Sequence, residues 1–381
     1  MQSPDDSLPR VLHFRSSIGF YGAENVIYNL ARTYRGPMMT VCLSDAREPH
    51  TELCDRLKAE GYNAATIASS GAFDPGTIRR LIRIGRAFRP DILHVHEYKT
   101  TIIGWLAARW LRVPVVSTLH GFVGGTASVR RYEALEARIL PRLAGIAAVS
   151  RNTAERAREM GVPGDRLTII PNGIDLQRFQ PADRHAPARR SLGLAESGFL
   201  VALVGRLSEE KGHEYVISAV AGLADAGIDA QAVFAGDGHL RETLVEKALT
   251  AGVAGRVHMP GNIADAAVVY HASDVVVLPS FKEGLPLTVL EAGACARPVI
   301  ATDVGEISRI IVDKKTGIII PAGDAKALAD ALAYLAAKPE ERESMGRAAR
   351  KRIEKHYSAH AMASAYTDLY CRLSKRRNPV S

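Results

Sequence analysis

Cysteine is scarce in this sequence and never paired. Cys42, Cys54, Cys295 and Cys371 are four residues in 381, scattered without a C-x-x-C motif. That pattern excludes a disulfide framework and a cysteine zinc site, and reads as free thiols in a reducing compartment. Long apolar runs are also missing. Even Thr101 to Leu111 is short and is followed by Arg112, so no membrane-spanning helix is predicted. Residues Met1 to Arg10 are polar and acidic, with no apolar stretch behind a basic start, so no signal peptide is expected. There is no G-x-G-x-x-G dinucleotide fingerprint, no low-complexity repeat, and no zinc-finger or RRM-like signature. Nucleic acid is therefore not an expected partner.

What is present is an ordinary globular composition, 47% hydrophobic and 24% charged. The length exceeds one ordinary core and predicts two domains. The net charge of +8 is uneven: residues 1–180 hold 24 Lys and Arg against 17 Asp and Glu, the remainder 25 against 24. A basic first half points to an anionic partner such as a membrane or a lipid phosphate.

Short apolar runs alternate with amphipathic ones. In the first half strands are predicted at Val11–Phe14, Thr40–Leu43, Ile92–Val95, Val115–Leu119, Ile146–Val149 and Leu167–Ile170. Helices are predicted at Ala23–Thr33, Thr77–Phe88, Thr101–Trp110 and Val129–Leu140. Continuous Val/Ile/Leu strands between helices imply a parallel sheet covered on both faces. Pro171-Asn172-Gly173 and the polar stretch Gln180 to Pro187 break the pattern and read as a linker. A second series follows, with strands at Phe199–Val204, Gln231–Phe234, Val257–Met259, Val275–Leu278, Pro298–Ala301 and Gly317–Ile320, then a helical tail from Asp324. The expected fold class is α/β, with two Rossmann-like doubly wound domains facing across a cleft, where such sheets bind ligands. The expected boundaries are 1–178, 179–360, and a C-terminal helix in 361–381 packing back on the first domain.

Three segments carry chemistry. Gly19-Phe20-Tyr21-Gly22-Ala23-Glu24 joins the first strand to a helix and suits close backbone approach to a phosphate, though a tight turn would read the same. Val204-Gly205-Arg206 to Lys211-Gly212 places two cations at a strand end, where a pyrophosphate would be gripped by a planar fork and a mobile point charge. The plain alternative is two solvated surface cations. In Pro279 to Ala292 a strand ends before a predicted helix that opens near Pro286, and its free N–H groups suit a diphosphate. Glu283 precedes that helix and Glu291 lies in it, at most roughly 12 Å apart along the axis. One would reach the sugar and the other the ribose hydroxyls.

These segments, with Leu119-His120-Gly121 and Pro171-Asn172-Gly173-Ile174-Asp175, resemble the family-4 retaining glycosyltransferases of GT-B fold, in order and spacing and over nearly the whole chain. The resemblance implies a nucleoside diphosphate sugar donor, UDP- or GDP-linked, and no metal or other cofactor. It implies catalytic roles for His120, Arg206, Lys211 and Glu283. Donor contacts would come from Gly22, Arg206, Lys211, Glu283, Gly284, Leu285, Pro286, Leu287, Thr288 and Glu291. Transfer would proceed with retention to a hydroxyl of a glycan or lipid-linked saccharide in surface polysaccharide assembly. Tyr21 departs from the family, which usually has two adjacent glycines there.

Leu93-His94-Val95-His96-Glu97 puts two histidines on one strand face, yet no third or fourth ligand follows at a recognisable spacing, so a metal is not expected. Arg79, Arg80, Arg83, Arg86 and Arg89 alternate with Ile78, Leu81, Ile82, Ile84 and Phe88. This basic amphipathic helix suits an anionic bilayer surface or, equally, an ordinary solvated helix. The expected location is cytoplasmic, with peripheral attachment to the inner membrane face as its extension. Competing readings are a nucleotide-sugar epimerase of similar fold, a non-catalytic nucleotide- or lipid-binding protein, and an NAD-dependent oxidoreductase with Asp45 on the cofactor ribose, against which the missing fingerprint weighs.

Overall fold

The computed structural model describes residues 4–17, 19–20, 22–45, 50–69, 74–120, 127–182 and 185–375. The chain divides into two compact units, one of residues 1–173 with 359–381, the other of residues 174–358. The first holds a seven-stranded parallel sheet of β1 (Val11–Ser16), β2 (Met38–Asp45), β3 (Ala64–Ser69), β4 (Ile92–Val95), β5 (Val115–Leu119), β6 (Gly145–Ala148) and β7 (Leu167–Ile169), in the order β3-β2-β1-β4-β5-β6-β7. The second holds β8 (Phe199–Val204), β9 (Ala230–Ala235), β10 (Val257–Gly261), β11 (Val275–Leu278), β12 (Val299–Thr302) and β13 (Gly317–Ile320), in the order β10-β9-β8-β11-β12-β13.

Helices cover both faces of each sheet, so the strands are buried on both sides, which is why they read as unbroken apolar runs. Phe14, Leu12 and Leu93 in one unit and Leu203, Val276 and Val277 in the other are at most 0% exposed. Each such side chain contributes about 1.5–3 kcal/mol by leaving water. The helix Pro75–Phe88 starts where its residues require it: Asp74 accepts the Gly76 N–H at 2.8 Å, and Pro75 stands where no intrahelical donor is needed. The C-terminal helix Ala359–Lys375 belongs to the first unit, packing Met362, Tyr366, Leu369 and Tyr370 against Val11, Ile92 and Val116.

Three readings need correction. β3 was not expected, because Ala64–Ser69 is built of small residues with a single isoleucine. The stretch read as a linker turns helical at His185 and carries Pro187 inside the helix His185–Ser191. Pro286 precedes the helix Leu287–Ala294 as its N-cap rather than opening it.

In each sheet the strand order reverses once, between β1 and β4 in the first unit and between β8 and β11 in the second. All strands are parallel, so loops from neighbouring strands diverge there and leave a crevice at the C-terminal edge.

Candidate functional site

At the reversal point of the second unit, the turn after β8 and the loop after β11 are locked together. Gly212 has φ +68° and lies so close to the Pro279 carbonyl that a Cβ would sit 2.3 Å from its oxygen. Glycine is thus required, and it ends the short helical turn Glu209–Lys211. The Phe281 N–H donates to the Glu210 carbonyl at 2.9 Å, a second tie. These contacts bring Lys211 Nζ within 2.7 Å of Glu283 Oε1. The buried Ser280 hydroxyl donates to the same oxygen at 2.7 Å, and Thr302 holds the Ser280 carbonyl at 2.5 Å. The pair is mostly shielded, with side chains 21% and 9% exposed, so it is stronger than a surface pair. Lys211 keeps two more N–H donors beyond the one given to Glu283. Arg206 is exposed on the adjoining turn, and its guanidinium makes no hydrogen bond to another described residue.

Gly284, Leu285 and Pro286 lead into the helix Leu287–Ala294. The first N–H groups of a helix have no acceptor within it, and the dipole end is positive. Gly305, at φ +61°, is pressed against the carbonyls of Glu283 and Gly284, so the loop after β12 fixes this approach from beneath. Thr288 turns its hydroxyl back to the Val204 carbonyl at 3.2 Å. On the next turns Glu291 is half-buried and its Oε2 accepts from the Tyr270 hydroxyl at 2.7 Å. Burial raises the Glu291 carboxyl pKa, against the pull of Tyr270 and Arg178. Arg206, Lys211, Glu283 and the helix tip therefore share one edge of one sheet, with Glu291 further along the helix.

The first unit fills its reversal point with imidazoles and hydroxyls, edged by the Arg15–Glu24 ion pair. His13 on β1 lies beside His94 on β4 in the parallel register, and His96 is two residues further along the same face. All three are buried. His13 Nδ1 is 2.8 Å from His96 Nε2, and His96 Nδ1 is 3.2 Å from His120 Nε2. His94 Nδ1 is 2.6 Å from the Tyr370 hydroxyl and its Nε2 is 2.7 Å from Thr118 Oγ1. Burial drives the imidazolium forms of His94 and His96 far down and that of His13 down to about 3. His120, half-exposed at the end of β5, is lowered in the same direction, first by desolvation and then by the Arg15 guanidinium.

His13 is the third histidine that sequence spacing failed to supply; nitrogens of His13, His94 and His96 lie within 4.8 Å of one another, a set able to surround a metal ion. Those nitrogens also lie within hydrogen-bond distance of one another and of the Tyr370 and Thr118 hydroxyls. Gly22 is not in a loop: it opens the helix Gly22–Thr33. Glu24, in the first turn of that helix, is buried and holds Arg15 at 3.0 Å, while Arg15 donates to the His96 carbonyl at 2.7 Å. Tyr21 and Gly121 lie outside the described residues. Glu136, which no motif flagged, is buried against Thr101, and burial pushes it up to about 7, with Glu97 and Glu133 adding to the rise.

The apolar side chains of the Arg79–Arg89 run face inward. Leu81 is buried, with Ile78, Ile82, Ile84 and Phe88 packed on the same core, and the five arginines are left exposed. No described helix is long and apolar enough to cross a membrane.

Residues 186–352 match the family described as glycosyl transferases group 1, and residues 20–178 match glycosyltransferase family 4. A D-inositol 3-phosphate glycosyltransferase of Nocardia farcinica is 34% identical over 275 residues, covering 67% of this chain and 61% of that protein. The chain thus spans about three fifths of that curated relative. The protein of the same name from Pseudarthrobacter chlorophenolicus is 34% identical over 285 residues, covering 70% of this chain and 67% of its own length. Among solved structures, Anabaena HepE in complex with UDP superposes with a TM-score of 0.83 at 19% identity, over 96% of this chain and 100% of that one. That likeness fixes the fold class as GT-B, built of two doubly wound α/β units.

Proposed function

The chain belongs to the family-4 glycosyltransferases, and from that premise we propose that it moves a sugar from a nucleoside diphosphate donor to a hydroxyl acceptor, with retention and without a metal ion. One observation carries the reading: Arg206, Lys211 and the tip of the helix Leu287–Ala294 converge on one sheet edge beside Glu283. Negative charge grows on the departing diphosphate in the transition state, and preorganised cations and N–H groups oppose that charge at no cost of reorganisation. Arg206 and the free donors of Lys211 bind the phosphates. Glu283, held by Lys211 and Ser280, accepts from sugar hydroxyls, and Glu291, held by Tyr270, from the ribose. In this reading Glu283 and Glu291 are given to hydroxyls, so the acceptor attacks from the face the diphosphate leaves, and a phosphate oxygen takes its proton. The two cations and the helix tip fill the role a divalent ion fills elsewhere.

A uridine donor is favoured by likeness, since HepE is known in complex with UDP-glucose as well as UDP. The acceptor is anionic in this reading. The excess positive charge lies in residues 1–180, and the relatives are named for an inositol phosphate. A lipid-linked saccharide phosphate meets the same requirement. The exposed arginines lie on the helix Pro75–Phe88, which packs at Gly85 on Leu111 of the helix Tyr98–Leu111, and that second helix carries Trp110, 71% exposed. An anionic bilayer would meet those charges without needing the helix's inward stripe.

The deciding experiment is a thermal-shift series with UDP, GDP, ADP and their sugars, followed by transfer to inositol 3-phosphate and to a polyprenyl-phosphate saccharide, each with EDTA. Stabilisation by one nucleotide and EDTA-resistant transfer are expected. Loss of turnover with EDTA, or product of inverted configuration, rejects the mechanism.

A further inference from the structure

The four histidines continue into a longer chain of hydrogen bonds that ends on the C-terminal helix. Tyr366 Oη is 2.8 Å from Thr118 Oγ1, Thr118 Oγ1 is 2.7 Å from His94 Nε2, and His94 Nδ1 is 2.6 Å from Tyr370 Oη. Tyr370 Oη reaches His13 Nε2 at 3.5 Å, His13 Nδ1 reaches His96 Nε2 at 2.8 Å, and His96 Nδ1 reaches His120 Nε2 at 3.2 Å. Every internal member has one neighbour on each side. A neutral imidazole or a hydroxyl donates one proton and accepts another, so the chain has two self-consistent states, with all protons pointing toward His120 or all pointing away.

The closed end separates them. Tyr366 is buried on the helix and has no partner for its hydroxyl other than Thr118 among the described residues. When protons run toward His120, Tyr366 donates to Thr118 and every donor from Tyr366 to His96 is used, leaving only the His120 Nδ1–H free. When they run away, the Tyr366 proton is left buried without an acceptor, which costs the desolvation of that donor. We propose that this relay fixes His120 as the Nδ1–H tautomer, with Nε2 accepting from His96, so that His120 meets its ligand as a hydrogen-bond donor and not as a base. Tyr366, Thr118, His94, Tyr370, His13 and His96 are then positioning residues. The assignment of a ligand to His120 rests on the glycosyltransferase reading, in which the family resemblance gives His120 a role in transfer; the relay itself does not.

Selective 15N labelling of histidine and long-range 1H–15N correlation at pH 5 to 9 test it on the intact chain. His13, His94, His96 and His120 are all expected to carry the proton on Nδ1, and none to titrate in that range. Nε2–H at His120, titration of any of the four above pH 5, or a stoichiometric metal by elemental analysis overturns the relay. Two variants test the coupling. His96→Leu removes the donor to His120 and is expected to give His120 both tautomers and to lower kcat about tenfold. His96→Asn, whose amide nitrogen stands near the lost Nδ1, is expected to restore both. An unchanged single Nδ1–H signal for His120 in His96→Leu also overturns the coupling. If the four-histidine pattern holds while His120→Ala transfers normally, the relay stands and the role given to His120 in transfer falls.

Discussion

The two sheets reverse strand order by the same topology and fill the reversal point in opposite ways. Between β8 and β11 stand charges: an exposed arginine, a lysine–glutamate pair, and a helix tip. Between β1 and β4 stand neutral imidazoles and hydroxyls, buried and bonded to one another, with the Arg15–Glu24 ion pair at their rim. The difference follows from solvent. Charges persist at the second site because Arg206 remains exposed and the Lys211–Glu283 pair compensates itself. Histidines stacked at ring separations of 4.1 to 5.1 Å cannot share charge in a dry core, so desolvation and mutual repulsion keep them neutral. Under the proposed function, the charged site opposes a charge that appears in the reaction, and the proposed relay holds orientation.

The comparison breaks most sharply at the charged site. Arg206→Ala with Lys211→Ala should reduce transfer by about 10³-fold or more, since single donors of this kind are each worth about 10²–10³. Steady-state rates with saturating donor check it, and near-normal turnover would remove the charged site from the chemistry. A smaller but large effect belongs to the dry unit. Glu136 has a folded pKa of about 7 against an ordinary 4.5, raised by burial, so folding favours its protonated form. Its contribution is intact below pH 4.5 and is lost as the pH climbs through 7. Glu136→Gln should therefore match the parent near pH 4.5 and exceed it by up to about 3 kcal/mol at pH 8. Melts at both pH values read this, and equal stability at pH 8 contradicts a buried neutral carboxyl. Next in size, Glu283→Gln leaves Lys211 without its counter-charge and should lower kcat about 100-fold. An effect confined to KM would make Glu283 a binding group alone.

The charged site was the legible one. Arg206, Lys211, Glu283 and Glu291 are each near a strand end or on one short helix, so local spacing carries their geometry. The pairing of Lys211 with Glu283 was not read, because it depends on Gly212 meeting Pro279 across 67 residues of chain. The dry site was almost invisible. His13 hides inside the apolar run Val11–Phe14, and only the β1–β4 register places it beside His94. Tyr366 and Tyr370 are one helical turn apart on a helix far along the sequence, where local spacing gives no sign that they meet β1, β4 and β5. Strand periodicity found the sheets because both faces are buried, and failed at β3, where alanine and threonine leave little apolar contrast.

The smallest predicted effect separates binding from chemistry within the charged unit. Tyr270 is fully buried and donates to Glu291 at 2.7 Å, the one hydrogen bond fixing that carboxylate among the described contacts. Tyr270→Phe keeps the ring packed against Phe179 and deletes only the hydroxyl. Glu291 then loses an interaction that favours its ionised form, and its pKa rises further in an already desolvated place. If Glu291 grips the ribose equally in ground and transition states, the donor KM should rise about three- to tenfold while kcat stays within a factor of two. An equal fall in kcat would mean that the carboxylate acts in the transition state, moving Glu291 into the group of Arg206 and Lys211 and redrawing the border between holding the donor and breaking it.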